Sequence, residues 1–429
     1  MKGRMRWLVV GMIAVATIIN YIDRNALAVM WPEVSREIGA TKEDYALLVT
    51  IFMVFYALGQ SAFGRIIDRI GVRAGFTISI IAWSASIAAH ALVRSMPLLM
   101  VLRGTLGFSE AGNWPGATKA NALWFPSRER AFAQGIFNSG ASIGGIVSAP
   151  LIALLFIQFG WKMTFVLIGL LGIIWLIPWL WLYRADPDRH PWLTAEERTY
   201  ILDGRSDLEA ANPEKMPLRK LLSYRQSWGV ILSRFFLDPV WWLFVSWLPI
   251  YLAETFGFDI KQIGYFAWVP FVGAMIGSLF GGWLAGQLIS AGSSIDRARK
   301  LTIGLGCAVM LPALLLTTTA SEPLTAVLLI ACILFGFQVA IGNIQTLPSD
   351  YFGGGAVGSL AGISGTAAVA GTLITTWLVP AMTVESYAPI FILSAAIVPL
   401  AFLSFWLVGG KVVPVESSTS TLQQTGNNN

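Results

Sequence analysis

GRIIDRIGVR, Gly64–Arg73, is a short charged segment set between two apolar runs, roughly 45–66 and 74–93. Each run is about the 20 residues a helix needs to cross a hydrocarbon core. The reading is two spanning helices joined by a tight basic loop. Gly64 and Gly71 permit the turn. Asp68 is placed to sit near the N-terminal end of a neighbouring helix, while Arg69 and Arg73 hold one membrane face.

Working outward, similar runs fill the chain. Twelve spans are expected, at roughly 7–32, 45–66, 74–93, 96–118, 132–157 and 162–183, then 227–252, 262–287, 301–319, 323–346, 355–380 and 386–408. Composition agrees: 55% of the 429 residues are apolar and 12% charged, half the charge of an ordinary soluble domain at about 25%. That leaves charge for loops only and places the chain in a lipid bilayer. The class is an all-α membrane protein of two six-helix halves. The first bundle covers 1–184, a polar linker 185–226, the second bundle 227–410, and a disordered Ser/Thr/Gln/Asn-rich tail 411–429. Within the linker, LTAEERTYILDGR predicts a short surface helix with Thr194 as N-cap and Glu197 three residues on. A weak echo of the opening motif, GGWLAGQLI, closes span 8 without its acid.

Orientation follows from the basic residues. With the termini cytoplasmic, 21 of the 29 Lys and Arg fall on the inner side and 5 on the outer, with Arg24, Arg103 and Arg234 inside spans. The basic N-terminus and the apolar run after it mimic a signal peptide, but the run is too long and is read as an uncleaved first span. The net charge of +5 is scattered over loops, without a basic face or aromatic platform, so no nucleic-acid partner is expected. Cys307 and Cys332 lie in apolar runs, and His90 and His190 stand alone. No metal site, cofactor or disulfide framework is expected. Nor does a nucleophile–base pair suggest an enzyme.

Six ionisable residues sit deep in spans: Asp23, Arg24, Arg103, Glu110, Arg234 and Asp238. Each costs about 3 kcal/mol at mid-bilayer, so each is expected to face a cavity or a partner. In span 1, Tyr21 and Arg24 share a face, whereas Asp23 and Arg24 point about 100° apart. In span 4, Arg103 and Glu110 stand on one face about 10 Å apart along the axis, too far to pair. The arrangement Asp23–Arg103 with Arg24 near Glu110 satisfies all four. Pro115 and Gly116 follow, where the helix is expected to bend. Arg234 and Asp238, i and i+4 in span 7, are expected to pair with each other. Polar side chains on apolar helices add Tyr56 and Gln60, Asn138 and Ser139, Asn343 and Gln345, and Ser364 and Thr366. These are the groups a polyhydroxylated ligand needs, or alternatively interhelical glue.

The spacing G-x-x-x-D-R-x-G-x-R after the second of twelve spans resembles the major facilitator superfamily. NYIDRNALAV, the span-4 stretch from RGTLGFSEAGNWPGATKANALWF through FNSGASIGG, and HPWLTAEERTYI are similar to its anion:cation symporter family, most of all to bacterial hexuronate transporters. SRFFLDPVWWLFVSWLPIYL and QTLPSDYFG strengthen that likeness. The resemblance implies a monomer of the bacterial inner membrane. It implies two halves rocking about a central site and proton-driven uptake of a sugar-acid anion such as glucuronate or galacturonate. It implies proton sites at Asp23 and Glu110, a carboxylate anchor at Arg24, a locking role for Arg103, and substrate contacts from Tyr21 and Tyr56. Gln60, Asn138, Asn343 and Ser364 are candidate contacts beside them. Two positions depart from the galactonate-type pattern, where Ala141 and Ser364 replace a Gln and an Asn. Another organic anion (an aldonate, glucarate or an aromatic acid) is the alternative substrate. An antiporter of the same fold is disfavoured because Pro150 stands apart from the glycines of span 5.

Overall fold

The computed structural model describes residues 4–203, 216–258, 262, 266–352 and 355–415. Residues 416–429 of the tail and the middle of the linker, 204–215, lie outside them. The described chain is almost wholly helical. Among the described residues, ten helices are long and apolar enough to cross a membrane. Spans 4 and 5 complete the twelve of the fold, span 4 being broken into two short helices and span 5 running on into span 6.

Span 1 is Met5–Ile38, longer than expected, and ends where Gly39 turns left-handed at φ 68°. Span 2 is Lys42–Ile70, begun by a reciprocal cap between Thr41 and Asp44, and span 3 is Val72–Ala89. Span 4 is two helices, Met96–Glu110 and Asn113–Trp124. The break falls at Ala111–Gly112, ahead of Pro115 rather than at it. Proline has no N–H for the carbonyl four residues back and clashes with it. Spans 5 and 6 form one long element, Ser127–Leu182, divided at Gly160 with φ 73°. In the second half, spans 7, 8 and 9 are Arg225–Phe256, Val269–Ser290 and Ile295–Thr317. Span 10 breaks much as span 4 does: Pro323–Ile344 is followed by Leu347–Tyr351, with the interruption two to three residues before Pro348. Spans 11 and 12 are Val357–Met382 and Ala388–Leu403, the last continuing as a wider turn, Ser404–Gly409.

Two apolar cores result. One gathers buried side chains from Met5 to Ile201 with Val369, the other from Leu221 to Val412. The halves meet chiefly where span 2 packs on span 11 and span 5 on span 8. Both contacts need bare backbone. A Cβ at Gly64 would collide with the carbonyl of Gly358, and one at Gly282 with that of Ala131. Gly71 adopts φ 85° between spans 2 and 3, a conformation that disfavours any side chain.

Asp68 caps the start of span 11. Its Oδ1 accepts from Gly358 N at 3.1 Å and its Oδ2 from Ser359 N at 2.6 Å, while Lys119 Nζ sits 2.7 Å away. A carboxylate there meets unpaired N–H groups and the positive end of the helix dipole. Arg69 is exposed, and Arg73 donates to Leu180 O at 3.2 Å. The linker helix is Ala195–Asp203. Thr194 Oγ1 accepts from Glu197 N at 3.2 Å. The Glu197 carboxylate reaches across to Arg6 at 3.0 Å and to the N–H groups of Met5 and Arg6. It thereby caps span 1 and ties the linker to the first half.

Candidate functional site

Midway along span 1, Tyr21 and Arg24 lie one turn apart and both line a central cavity between the halves. The Arg24 guanidinium is ringed by Tyr21 at 5.0 Å, Phe52 at 5.3 Å, Tyr56 at 4.9 Å and Trp242 at 5.7 Å. Three rings come from the first half and Trp242 from the second. Aromatic faces stabilise a desolvated cation. The counter-ion is Glu110: Arg24 Nε and Nη2 both donate to Oε2, at 3.3 and 3.2 Å, and Nη2 also donates to Asn20 Oδ1 at 3.2 Å. Glu110 stands where span 4 breaks, so the proline that interrupts the helix also sets its height. Its Oε1 is buried and has no hydrogen-bond partner.

The expected pairing of Asp23 with Arg103 does not form. Both residues are buried, and both oxygens of Asp23 and two nitrogens of Arg103, Nε and Nη1, lack a partner. Arg103 instead lies over the ring of Phe52, 4.8 Å from its centroid. The helical offset gives the reason: Asp23 points about 100° away from Arg24, and it is Arg24 that bonds to Glu110 of span 4. Phe52 is within reach of both cations, 5.3 Å from Arg24 and 4.8 Å from Arg103.

The second half supplies Arg234 and Asp238, which pair as expected, Nη2 to Oδ2 at 3.0 Å and Nε to Oδ2 at 3.1 Å, and which also line the cavity. Gln60 and Asn138 line it too. Asn138 donates to Gln345 Oε1 at 3.0 Å, joining the halves at the cavity's edge. Two expected contacts are corrected. Asn343 is fully buried behind the cavity, accepting from Arg299 at 3.1 Å and donating to Gly281 O and Val339 O. Gln345, two residues on and at the break of span 10, faces inward in its place. Ser364 stands behind Arg234, accepting from its Nη1 at 3.4 Å. Trp114, Trp241, Trp242 and Gln338 were not singled out in the sequence, yet they line the cavity. A proline three residues downstream marks Gln345, as Pro115 marks the turn beside Glu110.

The central free volume is about 50 Å³, room for a few waters. Toward the end that carries the linker, the halves are zipped together. Ser61 and Thr366 share a hydrogen bond at 2.7 Å, Asp68 caps span 11, and Arg299 donates to Ser127 O at 3.3 Å. Arg130 donates to Ser349 O at 3.3 Å and lies 3.5 Å from Asp350. At the opposite end, among the described residues, Glu37 bonds with Trp161 and Tyr387 with Glu254, each pair within one half.

Residues 13–376 match a family described as the Major Facilitator Superfamily. A hexuronate transporter of Escherichia coli (strain K12) is 32% identical over 412 residues, which cover 95% of this chain and 94% of that one. A galacturonate transporter of Dickeya chrysanthemi is 33% identical over 313 residues, 72% of this chain and 90% of its own. Among solved structures, the human organic anion transporter MFSD10 (TETRAN) superposes with a TM-score of 0.70 at 15% identity, covering 93% of this chain and 99% of that one. That likeness speaks to the fold alone. With a match that runs from span 1 to span 11 on a frame of twelve helices, the chain belongs to the major facilitator superfamily: it is a multi-pass transporter of the bacterial inner membrane, not an enzyme.

Proposed function

We propose that this transporter takes up a sugar-acid monoanion, a hexuronate such as glucuronate or galacturonate, together with protons. The carrying observation is the state of Arg24: a cavity-lining guanidinium, wrapped in aromatic rings, whose counter-ion is a buried carboxyl. A planar guanidinium grips a carboxylate with two parallel bonds. Trp114, Trp241 and Trp242 offer faces to a sugar ring, and Gln60, Asn138, Gln338 and Gln345 offer amides to its hydroxyls. The relatives named above carry substrates of this chemistry.

Coupling follows from competition. Substrate and Glu110 both seek Arg24. A proton on Glu110 removes its charge and leaves the guanidinium to the incoming anion. Asp23 is a second buried carboxyl whose two oxygens take no hydrogen bond, and burying a charge without a bonded partner costs several kcal/mol, which protonation avoids. Proton and anion therefore bind together and leave together. The zipped end is the cytoplasmic one in this reading, as the basic residues argue, so the described state is closed toward the cytoplasm. The two halves then rock about the cavity, with the Asp68 cap and the span 5–span 8 contact released on the inward side.

The test is uptake of labelled D-glucuronate and D-galacturonate into proteoliposomes, with acid outside. Concentrative uptake that collapses with the pH gradient is expected. Uptake that ignores the pH gradient and follows sodium would sink the proton assignment.

A further inference from the structure

Two arginines reach one cavity, Arg24 from span 1 and Arg234 from span 7. Their acids are placed differently. Glu110 lies on another helix behind Arg24 and is not part of the cavity wall. Asp238 is one turn from Arg234 on the same helix and lines the cavity itself. Arg234 is fully engaged: Nε and Nη2 go to Asp238, and Nη1 to Ser364 Oγ at 3.4 Å and Ala361 O at 3.5 Å. Both bonds to Asp238 use Oδ2, so Oδ1 is left to accept from something else. Tyr21 stands within electrostatic reach of both Arg24 and Asp238, and Trp242, a turn from Asp238, touches Arg24's environment at 5.7 Å. The two charged pairs therefore bracket one small space.

We propose that Asp238 sets the charge class of the substrate: by neutralising Arg234 on the cavity wall it admits one carboxylate, held at Arg24, and excludes six-carbon dicarboxylates. This rests on the sugar-acid reading above and narrows it. A second carboxylate arriving at Arg234 meets Asp238 as a like charge. To take the guanidinium it must displace Asp238 and strand a buried anion. A hydroxyl end meets no such obstacle, since it donates to Asp238 Oδ1. With Asp238 neutral, Arg234 becomes a second carboxylate anchor on the same cavity wall as Arg24, and the charge of the site suits a dianion.

The experiment is counterflow of labelled D-galacturonate in proteoliposomes holding the full chain, with unlabelled D-galacturonate, D-glucarate or galactarate as competitor. Wild type, Asp238→Asn and the double variant Arg234→Gln/Asp238→Asn are compared. The wild type is expected to prefer the hexuronate by roughly tenfold or more, the scale of one charge-assisted contact. Asp238→Asn shifts that ratio toward the dicarboxylates by roughly tenfold or more. The double variant, lacking the spare cation, keeps the wild-type preference. The inference is overturned if Asp238→Asn still binds galacturonate with the ratio unchanged, or if the double variant gains dicarboxylate affinity equally. The wild-type comparison stands even where a variant does not fold: equal affinity for hexuronate and dicarboxylate overturns the proposal on its own. A wild type that carries neither class overturns the sugar-acid reading and this inference together.

Discussion

Arg24 and Glu110 meet through a single oxygen: two guanidinium nitrogens converge on Oε2 at 3.3 and 3.2 Å, and the buried Oε1 takes no bond. The pair is therefore less than the side-on, two-oxygen clasp that guanidinium and carboxylate form when unconstrained. The arginine is held in place but remains available to a better-placed carboxylate.

Replacing Arg24 by lysine keeps the charge and removes the planar fork. We predict that Arg24→Lys loses roughly tenfold or more in substrate affinity, about 1.4 kcal/mol or more, with normal expression. Competition binding on purified protein measures it. Near-wild-type affinity would show that Arg24 is not the anchor.

Asp23 and Arg103 are both buried and make no pair. Their effects on stability are thus expected to add. In a thermal-unfolding cycle of Asp23→Asn, Arg103→Ala and the double variant, the coupling is predicted to stay within about 0.5 kcal/mol. A coupling of several kcal/mol would restore the direct pair.

Asn343 holds the Arg299 guanidinium at 3.1 Å, away from the cavity. Asn343→Ala is predicted to cost about 1–3 kcal/mol of stability by leaving a buried donor unmet, while KM for the substrate changes little. A large rise in KM in a protein of normal stability would place Asn343 in the binding site after all.

Gly64 lets span 2 touch the backbone of span 11, and Asp68 caps that helix. Gly64→Val is predicted to weaken closure at the linker end, because the added side chain must push span 11 away. A cysteine at Ser359 then labels faster from that side in Gly64→Val than in the parent. Unchanged labelling would show that this contact does not control closure.

Much of the fold is legible in the sequence because crossing a membrane needs long apolar helices, and most of the charge falls between them. The i,i+3 pair Tyr21–Arg24 and the i,i+4 pair Arg234–Asp238 depend on local geometry, and local spacing reveals them, whereas the basic loop expected at Gly64–Arg73 shrinks to Gly71 alone, because span 2 stays helical to Ile70 and span 3 begins at Val72. Partners across helices are less legible. Arg24–Glu110 follows from charge balance, but Asp23–Arg103 follows from the same argument and fails, since charge counting ignores that Phe52 stands beside both cations. Asn343 and Gln345 are two residues apart, so on a regular helix they point in very different directions. Which of them faces the cavity depends on the break before Pro348, and composition cannot show that. The four aromatic rings around Arg24 come from three helices, and only the assembled bundle brings them together.

The central claim is that Glu110 exchanges a proton for its hold on Arg24. Glu110→Gln copies the neutral carboxyl in shape and cannot release a proton. Substrate counterflow and pH-driven accumulation, measured side by side on this variant in the same proteoliposomes, test the claim most directly. Retained counterflow with accumulation lost is the predicted result. Accumulation that still follows the pH gradient in Glu110→Gln would contradict it.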